Sequence, residues 1–358
     1  MELLFHICSQ EDEGLMNKKK ILFIGGSLNQ TSMLYDVSKH LPNYDHYFTP
    51  YYSDGIFDWA ASKGWLDFTA LGGHHRKLTE NFLEKQNCRI DYKGREHYYD
   101  LIVTSSDLIV QNNIKGKKII LVQEGMTDPE NFMYYLVKLF KLPRYLASTS
   151  TTGLSNAYDI FCVASEGYKD LFIRKGVNPD KIRVTGIPNF DNVKKYCENE
   201  FPHHNFVLVA TSDARETLKY ENRKRTILNA VKLAKGKQLI FKLHPNENFA
   251  RAKKEIANYA PGALVYTDWE IREMIANCDT LITQYSSVVY VGLALGKKVY
   301  SNFPIEQLKS LTPIQNNGTS AQRIALHVER LIEKPKESFE NVNEGFRIKG
   351  VFKAQPLN

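Results

Sequence analysis

The sequence predicts an α/β fold of two domains, each a parallel sheet with helices on both faces. Three observations carry this. At 358 residues the chain is about twice a usual domain, so two cores of roughly 150 to 180 residues with a cleft between them are expected. Short, apolar, β-rich runs alternate with amphipathic segments along most of it, the pattern of buried strands joined by helical crossovers. With 43% hydrophobic and 24% charged residues, the composition excludes a disordered, collagen-like or repeat chain.

Residues 1–17 read as a loose extension, because the first convincing strand is ILFIGG at 21–26. The first Rossmann-like domain, 18–186, continues with a helix in TSMLYDVSKHL (31–41) and strands in DLIVTSS (100–106), KIILVQEG (118–125) and DIFCVAS (159–165). The aromatic, Gly- and His-rich text of 51–95 suits lid-like helices near the cleft. A helix over 166–175 leads into KIRVTGIPNFDNV (181–193), where Gly186, Pro188 and Asn189 break the periodicity and mark the junction. The second Rossmann-like domain, 187–337, repeats the alternation: strands in FVLVATS (206–212), QLIFKLHP (238–245), ALVYTD (263–268), TLITQYSS (280–287) and KKVYSN (297–302). Its helices are expected over 223–234, 250–259 and 270–276, with a closing helix over 321–333. The tail, 338–358, lacks strong periodicity and can pack back on the first domain.

A formal charge of +7 permits attraction to nucleic acid, an anionic membrane or an acidic polymer, although dispersed surface lysines are the plainer cause. No basic helix or stacking motif points to nucleic acid, so none is expected as a partner. The five cysteines form no CxxC pair, which suggests neither a zinc knuckle nor a disulfide framework and fits a cytoplasmic location. No apolar run approaches the roughly 20 residues that span a bilayer. The stretch FMYYLVKLFKLPRYL (132–146), with Lys138, Lys141 and Arg144 spaced three apart, can lie in a membrane interface with its bases on anionic headgroups. Peripheral contact at the inner face of the membrane is one reading of it, and a helix packed on its own domain is the other.

Candidate chemistry gathers where strands empty into polar turns, a setting in which side chains and helical N–H groups meet an anion. Period-two alternation in FKLHP puts Lys242 and His244 on one side of the strand, and Pro245 ends it with the imidazole at the rim. Ser286 and Ser287 directly precede an apolar helix. One hydroxyl suffices as a cap, so two suggest a phosphate cradle. In the first domain Glu124 ends a strand, and Gly125 lets the backbone turn so that the carboxylate enters the cleft as a general base. Asp128 is the alternative base, and a cap for the helix after Pro129 is the structural alternative for Glu124. Gly25, Gly26 and Ser27 follow the first strand without full GxGxxG spacing, so close approach to a phosphate and a plain tight turn both fit. Thr211 and Ser212 occupy the equivalent exit in the second domain, where binding and capping fit equally.

On these residues the stretch 21–333 resembles the two-domain GT-B glycosyltransferase architecture, which is shared with the non-hydrolysing UDP-N-acetylglucosamine 2-epimerases. VASEGY and VTGIPNFD look like the interdomain signature of that superfamily. The pairing of His244 and Pro245 with Ser286 and Ser287 resembles bacterial capsule-type transferases, including polysialyltransferases and relatives of the polyglycerolphosphate polymerases. The resemblance implies that an acidic-acidic-glycine element supplies the catalytic carboxylate and that the HP and SS motifs hold the donor phosphate. Here these fall on Glu124 and Gly125, and on His244, Ser286 and Ser287, while the first acidic place holds Gln123. The epimerases' HRREN element is replaced by ATSDARET, and their serine-glycine-glycine turn by QYSSVVY. The implied activity is inverting, metal-independent transfer of a sugar or phospho-sugar to a glycan or lipid-linked acceptor in surface polysaccharide synthesis. The donor would be a nucleotide sugar, UDP- or CMP-/CDP-linked, with no further cofactor. A 2-epimerase and a non-catalytic nucleotide-sugar or glycan-binding module are the alternatives.

Overall fold

The computed structural model describes residues 18–67, 69–216, 220–284 and 286–334, so the expected extension 1–17 and tail 338–358 lie outside the described residues. Six strands form the first sheet: β1 (Lys20–Ile24), β2 (Asp45–Thr49), β3 (Leu101–Thr104), β4 (Lys118–Val122), β5 (Ile160–Val163) and β6 (Ile182–Val184). Five form the second: β7 (Val207–Ala210), β8 (Leu239–Lys242), β9 (Leu264–Tyr266), β10 (Thr280–Ile282) and β11 (Lys298–Tyr300). Every pairing is parallel. Parallel neighbours need crossovers, and α-helices supply them everywhere except between β3 and β4, where, among the described residues, a short 3-10 turn at Asn112–Ile114 is the only helical element. In the first lobe these are α1 (Leu28–Ser38), α2 (Gly55–Ser62), α3 (Gly73–Lys85), α4 (Phe132–Phe140) and α5 (Glu166–Lys175). The second lobe carries α6 (Arg223–Ala234), α7 (Phe249–Tyr259), α8 (Ile271–Asn277), α9 (Val289–Ala294) and α10 (Ile305–Leu311), and α11 (Ser320–Glu333) ends the described chain.

Apolar runs make the central strands because both faces are covered: Ile21 to Ile24 and Leu101 to Val103 are wholly buried. The edge strands of the first sheet, β2 and β6, escaped the sequence reading, whereas β9 and β11 at the edges of the second were expected. β2, DHYFT, starts with half-buried Asp45 and His46, and β6 lies in the turn-rich KIRV text. Strand order is β2-β1-β3-β4-β5-β6 in the first sheet and β11-β10-β7-β8-β9 in the second. Direction of winding therefore reverses between β1 and β3 and between β7 and β10. Loops leaving such a pair diverge and open a crevice at the carboxyl edge.

Two expectations need correction. The helix over 321–333 does not close the second domain: α11 packs on α1 and β4 of the first lobe. Its apolar face, with Ile324, Val328 and Ile332, is buried there, Tyr44 donates to Glu333 at 3.2 Å, and Lys118 Nζ donates to the Ile332 carbonyl at 3.3 Å. The Asp191 carboxylate stitches the crossings together by accepting the N–H groups of Asn316 at 2.6 Å and Ser320 at 2.7 Å. Nor are both helices of 51–95 lids, since α3 packs on α1 and Thr79 donates to the Gly26 carbonyl at 2.9 Å. Where the lobes meet, α10 lies on α5, and the buried hydroxyls of Tyr168 and Tyr290 are 2.7 Å apart.

Candidate active site

The first-lobe wall of the site is the turn after β4. Gln123 is buried, its amide donating to the Gly125 carbonyl at 2.8 Å while its oxygen accepts Ala164 N–H at 2.9 Å. A neutral amide thus braces the turn at the position where the resemblance implied a second acid. Glu124 reaches across the exit of β3. Its Oε1 accepts Ser27 Oγ at 3.0 Å and its Oε2 accepts Gln30 Nε2 at 2.6 Å. Both donors come from the first turn of α1, where Ser27 is the N-cap and forms a capping box with Gln30. Burial raises the Glu124 pKa above the ordinary carboxylate value, outweighing the lowering effect of these two neutral donors.

The structural alternative for Glu124 falls away at this turn. Glu124 caps no helix, because α4 starts at Phe132 and Asn131 accepts its Tyr134 N–H at 3.0 Å. Gly125 is not in the left-handed region; instead, a Cβ there would stand 3.4 Å from the Phe190 ring and 3.7 Å from Ser287 Cβ. Glycine here permits close approach of the two lobes. Gly25 and Gly26 likewise make room for α1, since Cβ atoms on them would fall 2.5 Å from Thr31 Oγ1 and 1.6 Å from Gln30 Oε1. Asp128 is tied to Thr149, accepting its hydroxyl and donating its own N–H to the same oxygen, both at 2.9 Å.

The second-lobe wall is built from the exits of β7 and β10, the pair at which the winding reverses. Ser212 donates to Gln284 Oε1 at 3.4 Å, and Gln284 Nε2 donates to Thr226 at 2.8 Å. The N-cap of α9 is Val288 without a side-chain cap bond, and the Ser286 hydroxyl takes only a long 3.5 Å contact from Val288 N–H. The serine pair is therefore not consumed in capping. Together these walls enclose a cavity of about 660 Å³ lined by Glu124, Gly125 and Asp128 from the first lobe and Ser212, Asp213, Gln284, Ser286 and Ser287 from the second. Asn189 and Phe190 of the junction and the highly exposed ring of Tyr220 complete it.

Several expected ligands lie elsewhere. β8 ends at Lys242, so strand alternation no longer governs His244, and the two side chains part. The Lys242 ammonium turns inward to the carbonyls of Thr267, at 2.6 Å, and Leu243, at 3.2 Å. Thr211 is used internally: it donates to Glu247 and accepts His244 N–H at 3.1 Å. His244 stands outside the lining, one strand beyond β7, with Nδ1 3.7 Å from the Asp213 carboxylate, which does line the cavity. Gly25, Gly26 and Ser27 also lie outside the lining, although Ser27 touches Glu124. Glu247, which the sequence reading missed, anchors the HP turn: it accepts His244 N–H at 3.0 Å and pairs with buried Arg223 at 2.6 Å. Its signal was an acid three residues after His244 in a turn that has unpaired N–H groups. Among the described residues no three His, Cys, Asp or Glu side chains are grouped to hold a metal ion.

No protein-family model matches the sequence, and no curated protein matches it at the sequence level. Solved structures do match. A putative UDP-N-acetylglucosamine 2-epimerase from Listeria monocytogenes superposes with TM-score 0.56 and 13% identity over 89% of this chain and 98% of its own. A UDP-GlcNAc 2-epimerase from Neisseria meningitidis, bound to UDP-GlcNAc, gives TM-score 0.55 and 13% identity over 87% of this chain and 100% of its own. The wall teichoic acid polymerase TagF gives 0.49 and 12% over 88% and 89%. The chain has the GT-B fold, two Rossmann-like lobes facing across a cleft, as the sequence resemblance implied.

Proposed function

We propose that the chain is a nucleotide-sugar enzyme and, more finely, an inverting glycosyltransferase with Glu124 as its general base. The observation that carries the reading is that one cavity has a half-buried carboxylate on one wall and, on the other, two serine hydroxyls of which neither is the N-cap of the helix that follows. In such a reaction the acceptor hydroxyl gives its proton to Glu124 while its oxygen attacks the anomeric carbon from the face opposite the leaving group. The bond from that carbon to the donor phosphate breaks, and the electron pair leaves on a phosphoryl oxygen. Ser286, Ser287 and Ser212 would donate to that oxygen, with His244 adding a donor from the rim; donors aimed where charge develops are the usual source of such stabilisation. Asp128 would orient the acceptor through Thr149.

The test is transfer and donor hydrolysis by Glu124→Gln and His244→Ala, alongside thermal shifts with UDP, CMP, CDP and GDP species. Glu124→Gln is expected to lose about 10²- to 10⁴-fold in turnover with nucleotide shifts retained. Full activity in both variants would defeat the assignment. A 2-epimerase is the second reading, supported by the fold likeness to epimerases that include one bound to UDP-GlcNAc. It predicts the manno epimer from UDP-N-acetylglucosamine alone, with no acceptor present.

A further inference from the structure

Glu124 borders two chambers. A second cavity, of about 560 Å³, opens in the first lobe and shares the turn 124–127 with the cavity described above. Its character differs. Tyr51, Phe57, Leu66, Leu71, Ile109 and Tyr145 dominate its lining. Phe57 of α2 and Tyr145 after α4 meet edge-on at 4.8 Å, so the wall joins two segments far apart in sequence. The segments that form this wall also carry large apolar side chains in water: Ile56 precedes Phe57 and Trp59 lies two residues after it, Trp65 precedes Leu66, and Leu146 follows Tyr145.

The larger part of the chamber's surface is apolar, although hydroxyls of Thr69, Ser106, Ser148 and Thr152 also border it, and one polar group is unused. Ser105 is 6% exposed, and its hydroxyl has no hydrogen-bond partner among the described residues. Tyr51 by contrast is committed, its hydroxyl lying 3.2 Å from Ser106 Oγ. A purely hydrophilic occupant would leave most of its own hydroxyls unpaired against such walls, at a cost for each. An apolar occupant would instead release water from them, and a single hydroxyl at the Glu124 end would find a base.

We propose that this chamber takes the apolar part of the acceptor, which is therefore an amphiphile: a sugar or alcohol hydroxyl presented to Glu124 with an alkyl or aryl group beside it. The inference rests on Glu124 serving the transfer proposed above. Ser105 supplies the hydrogen bond to a second acceptor oxygen. Acceptor and donor then lie on either side of the turn that carries the carboxylate, which both chambers share.

Ethyl, butyl, hexyl and octyl β-glucosides, each below its micelle concentration, test it by calorimetric titration of the full chain. Affinity is expected to rise about fourfold for each methylene that enters the chamber. A flat series overturns the proposal. Ala70→Phe, which projects a ring from the lining, and Ile109→Trp as a second filling variant are expected to abolish the slope. An unchanged slope in whichever variant folds would mean that the chains bind the exposed apolar side chains, and would also overturn it. Nucleotide thermal shifts, measured separately on wild type, keep the two readings apart. Glucoside slopes without nucleotide binding would sink the transferase reading alone, and nucleotide binding with a flat series would sink the amphiphile alone.

Discussion

Glu124 is held by neutral partners, and this sets how the candidate base titrates. Burial raises its pKa, while the bonds from Gln30 and Ser27 pull the other way. In the proposed transfer the deprotonated form would take the acceptor proton, so kcat/KM is expected to fall as pH drops through a midpoint above the ordinary carboxylate range. Gln30→Ala removes one lowering contribution, and the acid limb of the pH profile is expected to move further up. A limb that stays in place would detach Glu124 from the chemistry. A second buried group gives a stability signature. Lys175 is 2% exposed with Nζ 2.6 Å from the Ser150 carbonyl, and burial lowers its pKa to about 8 from the model-compound 10.5. Between those values the unfolded chain binds more protons than the folded one, so stability rises with pH across the window, by up to about 3 kcal/mol. Below about 8 both forms are charged and the burial penalty is present in full. Urea melts of Lys175→Met from pH 7 to 10 are expected to lose that rise.

At the scale of elements, what could be read in advance was where strands end. The exits of β4, β7, β8 and β10 all show as apolar runs that break into polar text, and the candidate residues were found there. Which of them face one cavity was not legible, because it depends on strand order: β7 lies between β8 and β10, and this displaces His244 from the serines. Lys242 misled because alternation holds only inside a strand, and β8 stops at that residue. β2 was missed because Asp45 and His46 break the apolar run at a sheet edge, where one partner strand suffices. Glu247 shows how a turn is held rather than merely formed, with Thr211, the His244 N–H and Arg223 converging on one buried carboxylate. Removing it as Glu247→Ala leaves the Arg223 charge with Glu221 alone. That is expected to cost about 3 kcal/mol in chemical denaturation, and a loss below about 0.5 kcal/mol, the range of ordinary surface substitutions, would show the network to be dispensable.

For the whole molecule, the contact between lobes is tight at its root. A Cβ on Gly167 of α5 would fall 2.0 Å from the backbone carbonyl oxygen of Ser310 in α10, and backbone gives way less readily than a side-chain tip. Gly167→Ala is therefore expected to wedge the lobes apart, lowering stability by about 1–3 kcal/mol and weakening nucleotide shifts together. Unaltered melting would mean that α10 slides freely on α5. The interposed position of β7 also limits what can fill the cleft. Neighbouring strands run about 4.8 Å apart, so the mouths of β8 and β10 are separated by roughly 9 to 10 Å. An isolated orthophosphate is too small to bridge that gap, whereas two phosphoryl groups in tandem can lean on an alcohol at one end and an imidazole at the other. In the proposed transfer, with His244 at the rim of the cavity, a donor that met both groups would therefore carry a pyrophosphate linkage.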